Sequence, residues 1–129
     1  MEEPRILVVD DDPNMLLLVR FNLEQRGWTV VTAEDGPTGL ELATGQRFDL
    51  VILDLMLPGA SGFDVCRGLR AEGPNREAPV LMLTARSQMR DFEEASRAGA
   101  TDYVLKPFDP ISLADQVAAH LAARSGSGP

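Results

Sequence analysis

Polar side chains suited to binding a cation and a phosphoryl group follow four short apolar runs of the sequence. The runs read RILVV, LVIL, VLML and DYVL, and the residues that follow them are Asp10 with Asp11, Asp54, Thr84 and Lys106. Short apolar runs separated by helix-like stretches are typical of buried strands in a parallel sheet. Because ligands of open α/β sheets bind at the carboxyl ends of the strands, we expect these side chains to converge on one edge.

The acidic residues at this edge suit a hard cation. Mg²⁺, or Mn²⁺ in its place, prefers oxygen ligands, and Mg²⁺ usually takes one or two carboxylates together with waters and phosphate oxygens. Asp10, Asp11 and Asp54 would repel one another once folded together, and a bound divalent cation would relieve that repulsion. The alternative is that Asp10–Asp12 only cap a helix and interact with its dipole. Capping accounts well for one aspartate but not for three.

Asp54 is the candidate nucleophile of the site. An aspartate carboxylate can attack phosphorus and form an acyl phosphate. Such a transfer depends on neutralising charge more than on moving protons. Lys106 can place a positive charge on one phosphoryl oxygen, and Thr84 can offer a hydroxyl to another. A threonine or a lysine after one strand is a weak signal, but all three residue types at the ends of successive strands are specific.

The composition bounds the class of protein. The chain has 129 residues, 44% of them hydrophobic, which fits one domain with one core. No apolar run approaches the ~20 residues of a membrane helix, no signal peptide is recognisable, and the single cysteine, Cys66, excludes an internal disulfide. These features favour a cytoplasmic setting without membrane contact. The net charge of −8 argues against direct nucleic-acid binding.

Five strand–helix pairs can be read along the chain. The predicted strands are Arg5–Val9, Trp28–Ala33, Leu50–Asp54, Pro79–Thr84 and Asp102–Leu105. The first predicted helix is capped by Asp12 or Asn14 and stopped by Gly27, and the others are Gly36–Thr44, Gly62–Ala71, Ser87–Ala98 and Ile111–Ala123. Repeated β–α units predict an α/β fold with a doubly wound parallel sheet and right-handed crossovers. We expect one domain over residues 1–123 and a flexible tail or linker stub over 124–129.

The chain resembles the receiver domains of two-component response regulators. The resemblance covers about residues 4–123 and is carried by Ile6–Asp12 (ILVVDDD), Asp49–Gly62 (DLVILDLMLPGASG), Pro79–Arg86 (PVLMLTAR) and Gly99–Phe108 (GATDYVLKPF). These segments have the order and spacing of the family. The resemblance implies a flavodoxin-like (βα)₅ fold with strand order 2-1-3-4-5.

The resemblance also implies roles for individual residues. Asp54 is the expected phosphoacceptor. Asp11 is the expected direct ligand of Mg²⁺, Asp10 acts mostly through water, and the backbone carbonyl of Met56 is a further ligand. The domain assists its own phosphorylation and dephosphorylation but is not a conventional turnover enzyme.

Further roles concern the phosphoryl group and the response to it. Thr84 and Lys106 are expected to contact the phosphoryl group. Tyr103 matches the family's switch aromatic, which turns inward when the threonine moves toward the phosphate. The Lys106–Pro107 bond matches a cis bond of the family, which would aim the lysine into the site.

The partners implied are a histidine kinase or phosphotransfer protein as donor, and an output domain or effector protein as receiver of the signal. The signalling face is formed by the fourth helix, fifth strand and fifth helix. Several segments look like those of the winged-helix transcription factors, which form homodimers through this face. Thr101, Ser112 and Gln116 stand where the charged residues that pair across this homodimer are usual. The usual charge pairs therefore cannot form, and whether this chain forms the homodimer is left undecided. The chain is either a free-standing receiver or part of a longer protein.

Two long side chains flank the predicted phosphorylation site. Met56 lies two residues after Asp54, and Arg86 lies two residues after Thr84. Both could obstruct attack by water on the acyl phosphate or pair with the phosphate. We therefore expect them to slow self-dephosphorylation. The alternative is that both are only solvent-facing loop residues.

Two other functions compete with the receiver interpretation. A phosphatase of the haloacid dehalogenase type would use Asp10 as nucleophile in an Asp-x-Asp motif, although Pro13 and Asn14 do not fit its continuation. A calcium-binding loop would need glycine where Met15 stands and a bidentate glutamate where Phe21 stands.

The remaining residues are expected to be structural. The core candidates are Leu16, Leu17, Leu40, Val65 and Leu69, with Cys66 as a packed apolar residue. Trp28 is assigned to packing. His120 has no partner nearby in sequence, and we expect it to be exposed.

Overall fold

The chain alternates strands with helices from one end to the other. A computed structural model describes residues 3–85 and 89–126. The strands are β1 (Arg5–Val9), β2 (Thr29–Ala33), β3 (Leu50–Asp54), β4 (Val80–Thr84) and β5 (Asp102–Leu105). The helices are α1 (Pro13–Glu24), α2 (Gly36–Gly45), α3 (Gly62–Ala71), α4 (Met89–Ala98) and α5 (Pro110–Gly126).

All neighbouring strands pair in parallel, in the order β2-β1-β3-β4-β5. This confirms the predicted doubly wound sheet and its strand order. The chain leaves β1 toward β2 on one side and later returns to β3 on the other side. The crevice between the ends of β1 and β3 is where such folds bind ligands.

The sheet separates two hydrophobic layers. In β1, Ile6 and Val8 pack with α1 and α5, whereas Leu7 and Val9 pack with α2, α3 and α4. This alternation follows from the two-residue period of a strand. Every residue of β3 and β4 is buried, as expected for central strands covered by helices on both faces. Each large apolar side chain buried there contributes roughly 1.5–3 kcal/mol.

Local capping residues set where the helices that flank the site begin. Asp12 caps α1 because its Oδ1 accepts a hydrogen bond from the Asn14 N–H at 3.0 Å, with Pro13 in the first turn. Ser61 and Asp64 form a capping box at the start of α3, in which each side chain accepts from the other residue's N–H. These caps fix the chain just after β1 and shortly after β3, so they help to define the shape of the site edge.

Several element boundaries differ from the prediction. β2 begins at Thr29, and Trp28 packs against the layer of α1 and α5. α1 ends at Glu24, and Gly27 supplies the positive φ of the turn that follows. α5 continues to Gly126, so residues 124–126 of the predicted tail are helical. The predicted start of the fourth helix at Ser87 lies outside the described residues.

The predicted core is confirmed except at one position. Leu16, Val65 and Leu69 are buried, Leu40 is half-buried against the core, and Cys66 is fully buried. Leu17, however, is 69% exposed, so its assignment to the core was wrong. The buried face of α1 follows the spacing Leu16, Val19 and Leu23, which leaves the residue after Leu16 turned away from the sheet. Among the described residues, no helix combines the length and apolar character needed to cross a bilayer.

Candidate functional site

Two buried aspartates meet at the carboxyl ends of β1 and β3. Val9 and Leu53 are register partners, so Asp10 and Asp54 follow side by side at the sheet edge. Asp10 is 0% exposed and Asp54 is 5% exposed. Asp11 lies beside them but is exposed to solvent. Each of the three offers a carboxylate oxygen, and these oxygens lie within 4.8 Å of one another.

Lys106 bridges the two buried carboxylates from the end of β5. Its Nζ donates to Asp10 Oδ2 and to Asp54 Oδ2, each at 3.1 Å. The Lys106–Pro107 peptide bond is cis, as the resemblance implied. The ammonium group therefore stands where it offsets the charge of both acids, and an incoming anionic oxygen would meet it there.

Burial and charge shift the pKa values of this cluster. Burial, together with the neighbouring charge of Asp10, raises the pKa of Asp54, although the hydrogen bond and charge of Lys106 and the Met56 N–H act in the opposite direction. Burial alone would lower the pKa of Lys106, but its bonds to Asp10 and Asp54 outweigh burial and raise it. The lysine therefore stays charged, while the ionised form of Asp54 is held at a cost in free energy.

Backbone groups orient both buried carboxylates. The Asp12 N–H donates to Asp10 Oδ1 at 3.0 Å, and the Met56 N–H donates to Asp54 Oδ1 at 3.2 Å. Since carboxylate oxygens have further acceptor sites, these bonds fix the rotamers without excluding a cation. The helix-capping alternative applies to Asp12 alone, because its side chain caps α1 while Asp10 points into the cluster.

The residues at this edge fit a hard divalent cation. Three close carboxylates supply oxygen donors only, which is the ligand type that Mg²⁺ prefers. Asp11 is open to solvent, so a cation there could keep several of its waters. The backbone carbonyl of Met56 stays a predicted ligand.

Thr84 lies at the same edge, at the end of β4. It is 4% exposed, and β4 is the neighbour of β3, with Leu83 in register with Asp54. The Lys106 N–H donates to the Thr84 carbonyl at 2.8 Å, which ties the ends of β4 and β5 together. The structure thus brings together the predicted residues Asp10, Asp11, Asp54, Thr84 and Lys106 on one edge.

Tyr103 lies on β5 and faces α4. Its side chain is half-buried, its hydroxyl donates to the Phe92 carbonyl at 2.8 Å, and the two rings are 4.9 Å apart between centroids. The predicted switch aromatic is therefore bonded directly to the neighbouring helix. Its movement stays a prediction.

Of the two residues expected to modulate the site, Met56 and Arg86, the structure describes Met56. Met56 is 61% exposed and lines an open cleft beside Asp11, together with Leu57, Pro58 and Ser61. Its position in the loop after Asp54 is compatible with shielding an acyl phosphate. Arg86 lies outside the described residues.

A polar cluster between β5 and α5 was missed by the sequence interpretation. His120 was expected to be exposed and without a partner, but its Nε2 lies 2.9 Å from Asp102 Oδ2 and its side chain is 24% exposed. Gln116 Nε2 donates to the same Asp102 oxygen at 2.9 Å. The four-residue spacing of Gln116 and His120 places them on one side of a helix, but nothing in the sequence names the strand residue they meet.

The sequence is similar to those of known transcriptional regulators. The chain is 47% identical over 118 residues to the DNA-binding dual master transcriptional regulator RpaA of Synechocystis, covering 92% of this chain and 49% of that protein. The chain thus spans about half the length of the curated relatives it matches.

Two solved structures resemble the fold closely. The beryllofluoride-activated receiver domain of DrrB, a Thermotoga maritima protein, matches with a TM-score of 0.84 and 36% identity, covering 94% of this chain and 99% of that one. The receiver domain of sensor histidine kinase PA1611 from Pseudomonas aeruginosa, solved with a magnesium ion in its active-site cleft, matches with a TM-score of 0.85 and 30% identity, covering 94% and 99%.

The family itself follows from a match to the response regulator receiver domain over residues 6–118. That match includes the residues of the site edge and all five strands, apart from Arg5 at the start of β1. It does not support a phosphatase of the haloacid dehalogenase type with Asp10 as nucleophile. The chain belongs to the receiver domain family of two-component response regulators.

Proposed function

We propose that Asp54 accepts a phosphoryl group from the phosphohistidine of a histidine kinase or phosphotransfer protein. The proposal rests on one observation above all: the nearly buried Asp54 carboxylate shares Lys106 with Asp10 at the sheet edge. A carboxylate with a fixed cation beside it is suited to attack on phosphorus. In this role the domain is a signalling module and not a conventional turnover enzyme.

The transfer can be written with its bonds balanced. A carboxylate oxygen of Asp54 forms a bond to phosphorus while the phosphorus–nitrogen bond of the donor breaks, and the bonding electrons stay on the departing nitrogen. The imidazole leaves neutral, either because its other ring nitrogen already carries a proton or because the departing nitrogen takes one from solvent. Lys106 moves part of its hydrogen bonding from Asp54 to a phosphoryl oxygen. Thr84 donates its hydroxyl to another phosphoryl oxygen. These contacts stabilise charge that spreads over the phosphoryl oxygens in the transition state.

We assign the metal to the same edge. Asp10, Asp11, Asp54 and the Met56 carbonyl would hold Mg²⁺, or Mn²⁺ in its place, and the PA1611 receiver domain has magnesium in its corresponding cleft. The cation would neutralise charge on the attacking carboxylate and on the phosphoryl oxygens. Asp11 would bind the cation directly and Asp10 mostly through water, and the exposure of Asp11 leaves room for the cation to keep further waters.

The phosphorylated state is proposed to be read on the face formed by α4, β5 and α5. Thr84 moves toward the phosphoryl group and Tyr103 follows, which changes how this face is presented to a partner. The partner is an output domain of a longer protein or a separate effector protein, and the relatives' DNA-binding names favour the first. With its net charge of −8, the receiver domain itself would not contact nucleic acid. A second copy of the chain is a further candidate partner for this face. We assign the protein to the cytoplasm.

The experiment is phosphorylation by a small phosphodonor with Mg²⁺, followed by mass spectrometry. Wild type should gain one phosphoryl group, and peptide mapping after borohydride reduction should place it on Asp54. Asp54→Asn should gain none. Asp115→Asn, which alters an exposed carboxylate of α5, is the control and should behave as wild type. Phosphorylation of Asp54→Asn, or mapping of the group to Asp10, would contradict the proposal.

A further inference from the structure

Tyr103 is hydrogen-bonded to both helices of the proposed signalling face. Its hydroxyl donates to the Phe92 carbonyl of α4 at 2.8 Å. Its backbone carbonyl accepts from Gln116 Nε2 of α5 at 3.2 Å. A movement of Tyr103 therefore acts on α4 through the side chain and on α5 through the main chain.

The contact with α5 is reinforced by Asp102, the residue before Tyr103. Asp102 Oδ1 accepts from the Tyr103 N–H at 2.8 Å, and Oδ2 accepts from Gln116 Nε2 at 2.9 Å. His120 Nε2 lies 2.9 Å from the same Oδ2. Hydrogen bonds to an ionised carboxylate are about twice as strong as neutral ones. The cluster of Asp102, Gln116 and His120 therefore links β5 and α5 at fixed points.

Besides this polar cluster, β5 and α5 share an apolar contact. Val104 packs in the layer that contains Leu113, Ala114 and Val117 of α5. Apolar contact is non-directional, so it constrains the position of α5 along the strand less sharply than hydrogen bonds do. β5 is also an edge strand, with β4 as its neighbour in the sheet. The polar cluster thus supplies directional bonds that join α5 to the two strand residues Asp102 and Tyr103.

We propose that Gln116 is a positioning residue that makes α5 follow Tyr103, with His120 as a second support. The inference rests on the proposed function, because it concerns how the phosphorylated state spreads from Tyr103. When the Tyr103 backbone shifts, Gln116 either moves with it or loses its bonds to the Tyr103 carbonyl and the Asp102 carboxylate. Losing these bonds would leave both acceptors with fewer donors, which costs free energy. Movement of α5 together with Tyr103 avoids that cost.

Two variants and one control test this coupling. Gln116→Leu removes the amide that reaches both acceptors, and the double variant Gln116→Leu/His120→Leu removes both side-chain donors from α5. Asp115→Asn is the control, since it changes an ion pair from α5 to Arg26 of α1 and not the contact with β5. Thermal unfolding shows which variants are folded, and the single variant serves if the double variant is not.

The readouts follow the two sides of the contact separately. Tyr103 is the only tyrosine of the chain, so fluorotyrosine labelling gives a single fluorine resonance for it. The backbone amide resonances of α5 report on the helix. Beryllofluoride with Mg²⁺ is added as the analogue of the phosphoryl group, and both sets of shifts are recorded for each protein.

In wild type and Asp115→Asn, beryllofluoride should move both the Tyr103 resonance and the α5 amides. In the variants lacking the Gln116 amide the Tyr103 resonance should still move, while the α5 shifts fall by about twofold or more. Full-sized α5 shifts in the folded double variant would overturn the inference. A wild type in which no resonance responds to beryllofluoride with Mg²⁺ would instead count against the proposed function.

Discussion

The buried position of Asp54 beside Asp10 lowers the stability of the folded state. It shares a buried pocket with Asp10, and Lys106 compensates the two negative charges with one positive charge. Burial and the charge of Asp10 raise the pKa of Asp54. A carboxyl whose pKa is higher in the folded than in the unfolded chain lowers stability above that pKa, and the penalty disappears as the pH falls and the group is protonated.

Asp54→Asn should therefore be more stable than wild type at pH 7 without divalent cations, with a melting temperature higher by a few degrees. The amide removes the repulsion, while Asp10 keeps its bond to Lys106. The gain should shrink toward acidic pH. Mg²⁺ should stabilise wild type more than the variant, because the metal relieves the same repulsion. Thermal unfolding at two pH values with and without MgCl₂ measures this, and a less stable variant at pH 7 would refute it.

We expect Met56 to lengthen the lifetime of the proposed acyl phosphate on Asp54. It follows Asp54 by two positions and is largely exposed beside the cleft of Asp11. Met56→Asn, with a shorter side chain that can hydrogen-bond to water, should dephosphorylate faster than wild type. Arg86→Ala is expected to act in the same direction. A time course of phosphate release decides the matter, and unchanged rates in both variants would show that neither residue shields the site.

Among the elements, β5 and α5 depend on a polar contact as well as on apolar packing. Burial alone would raise the pKa of Asp102, but hydrogen bonds from His120, Gln116 and the Tyr103 N–H outweigh it and hold the pKa below its usual range. A carboxyl with a depressed pKa in the folded state stabilises the protein above its unfolded pKa. That contribution is lost as the pH falls through the folded value.

Asp102→Asn should thus be less stable than wild type at neutral pH, where the carboxylate is fully ionised. The difference should narrow as the pH falls below the ordinary pKa of an aspartate and through the lower pKa of Asp102 in the folded state. Urea unfolding at a series of pH values gives the two stability curves. Parallel curves down to the acid end would mean that Asp102 contributes through its shape and not through its charge.

At the scale of the whole molecule, buried side chains also organise the end of the sheet opposite the site. Asn75 is 0% exposed, and its Oδ1 accepts from the Phe48 N–H at 2.7 Å. Its Nδ2 donates to the carbonyls of Ala43 and Gln46, each at 2.6 Å. The connection between α3 and β4 thereby supplies hydrogen-bond partners for backbone groups at the end of α2 and in the connection between α2 and β3. Two segments far apart in sequence are thus held together at this end of the sheet.

Asn75→Ala should cost about 2 kcal/mol or more in the free energy of unfolding, because it leaves the buried Phe48 N–H and two carbonyls without their partner. Glu77→Ala, an exposed residue of the same connection, should change little. Since the phosphorylation site lies at the other end of the strands, phosphorylation of Asp54 should persist in the folded fraction of Asn75→Ala. Equal stability of the two variants in urea would contradict the role given to Asn75.

The strand-end residues were predictable because their placement depends on short-range pattern alone. Apolar runs specify buried strands, parallel strands end at one edge, and the residue that follows each run must lie there. Asp10, Asp54, Thr84 and Lys106 follow this rule, whereas the strand order was predicted from the resemblance to the family. The core assignment of Leu17 was wrong because the rotation of α1 against the sheet decides which of two adjacent leucines is buried.

The sequence by itself determined the sheet, the edge at which the site forms and the residue types that meet there. Only the tertiary structure decided that Lys106 bonds both buried aspartates, that Asn75 bonds the end of α2 and the connection that follows it, and that His120 and Gln116 meet Asp102. The physical reason is that strand periodicity acts within a few residues. Contacts between elements depend on how each helix is rotated and placed against the sheet, which the packing of the whole core sets.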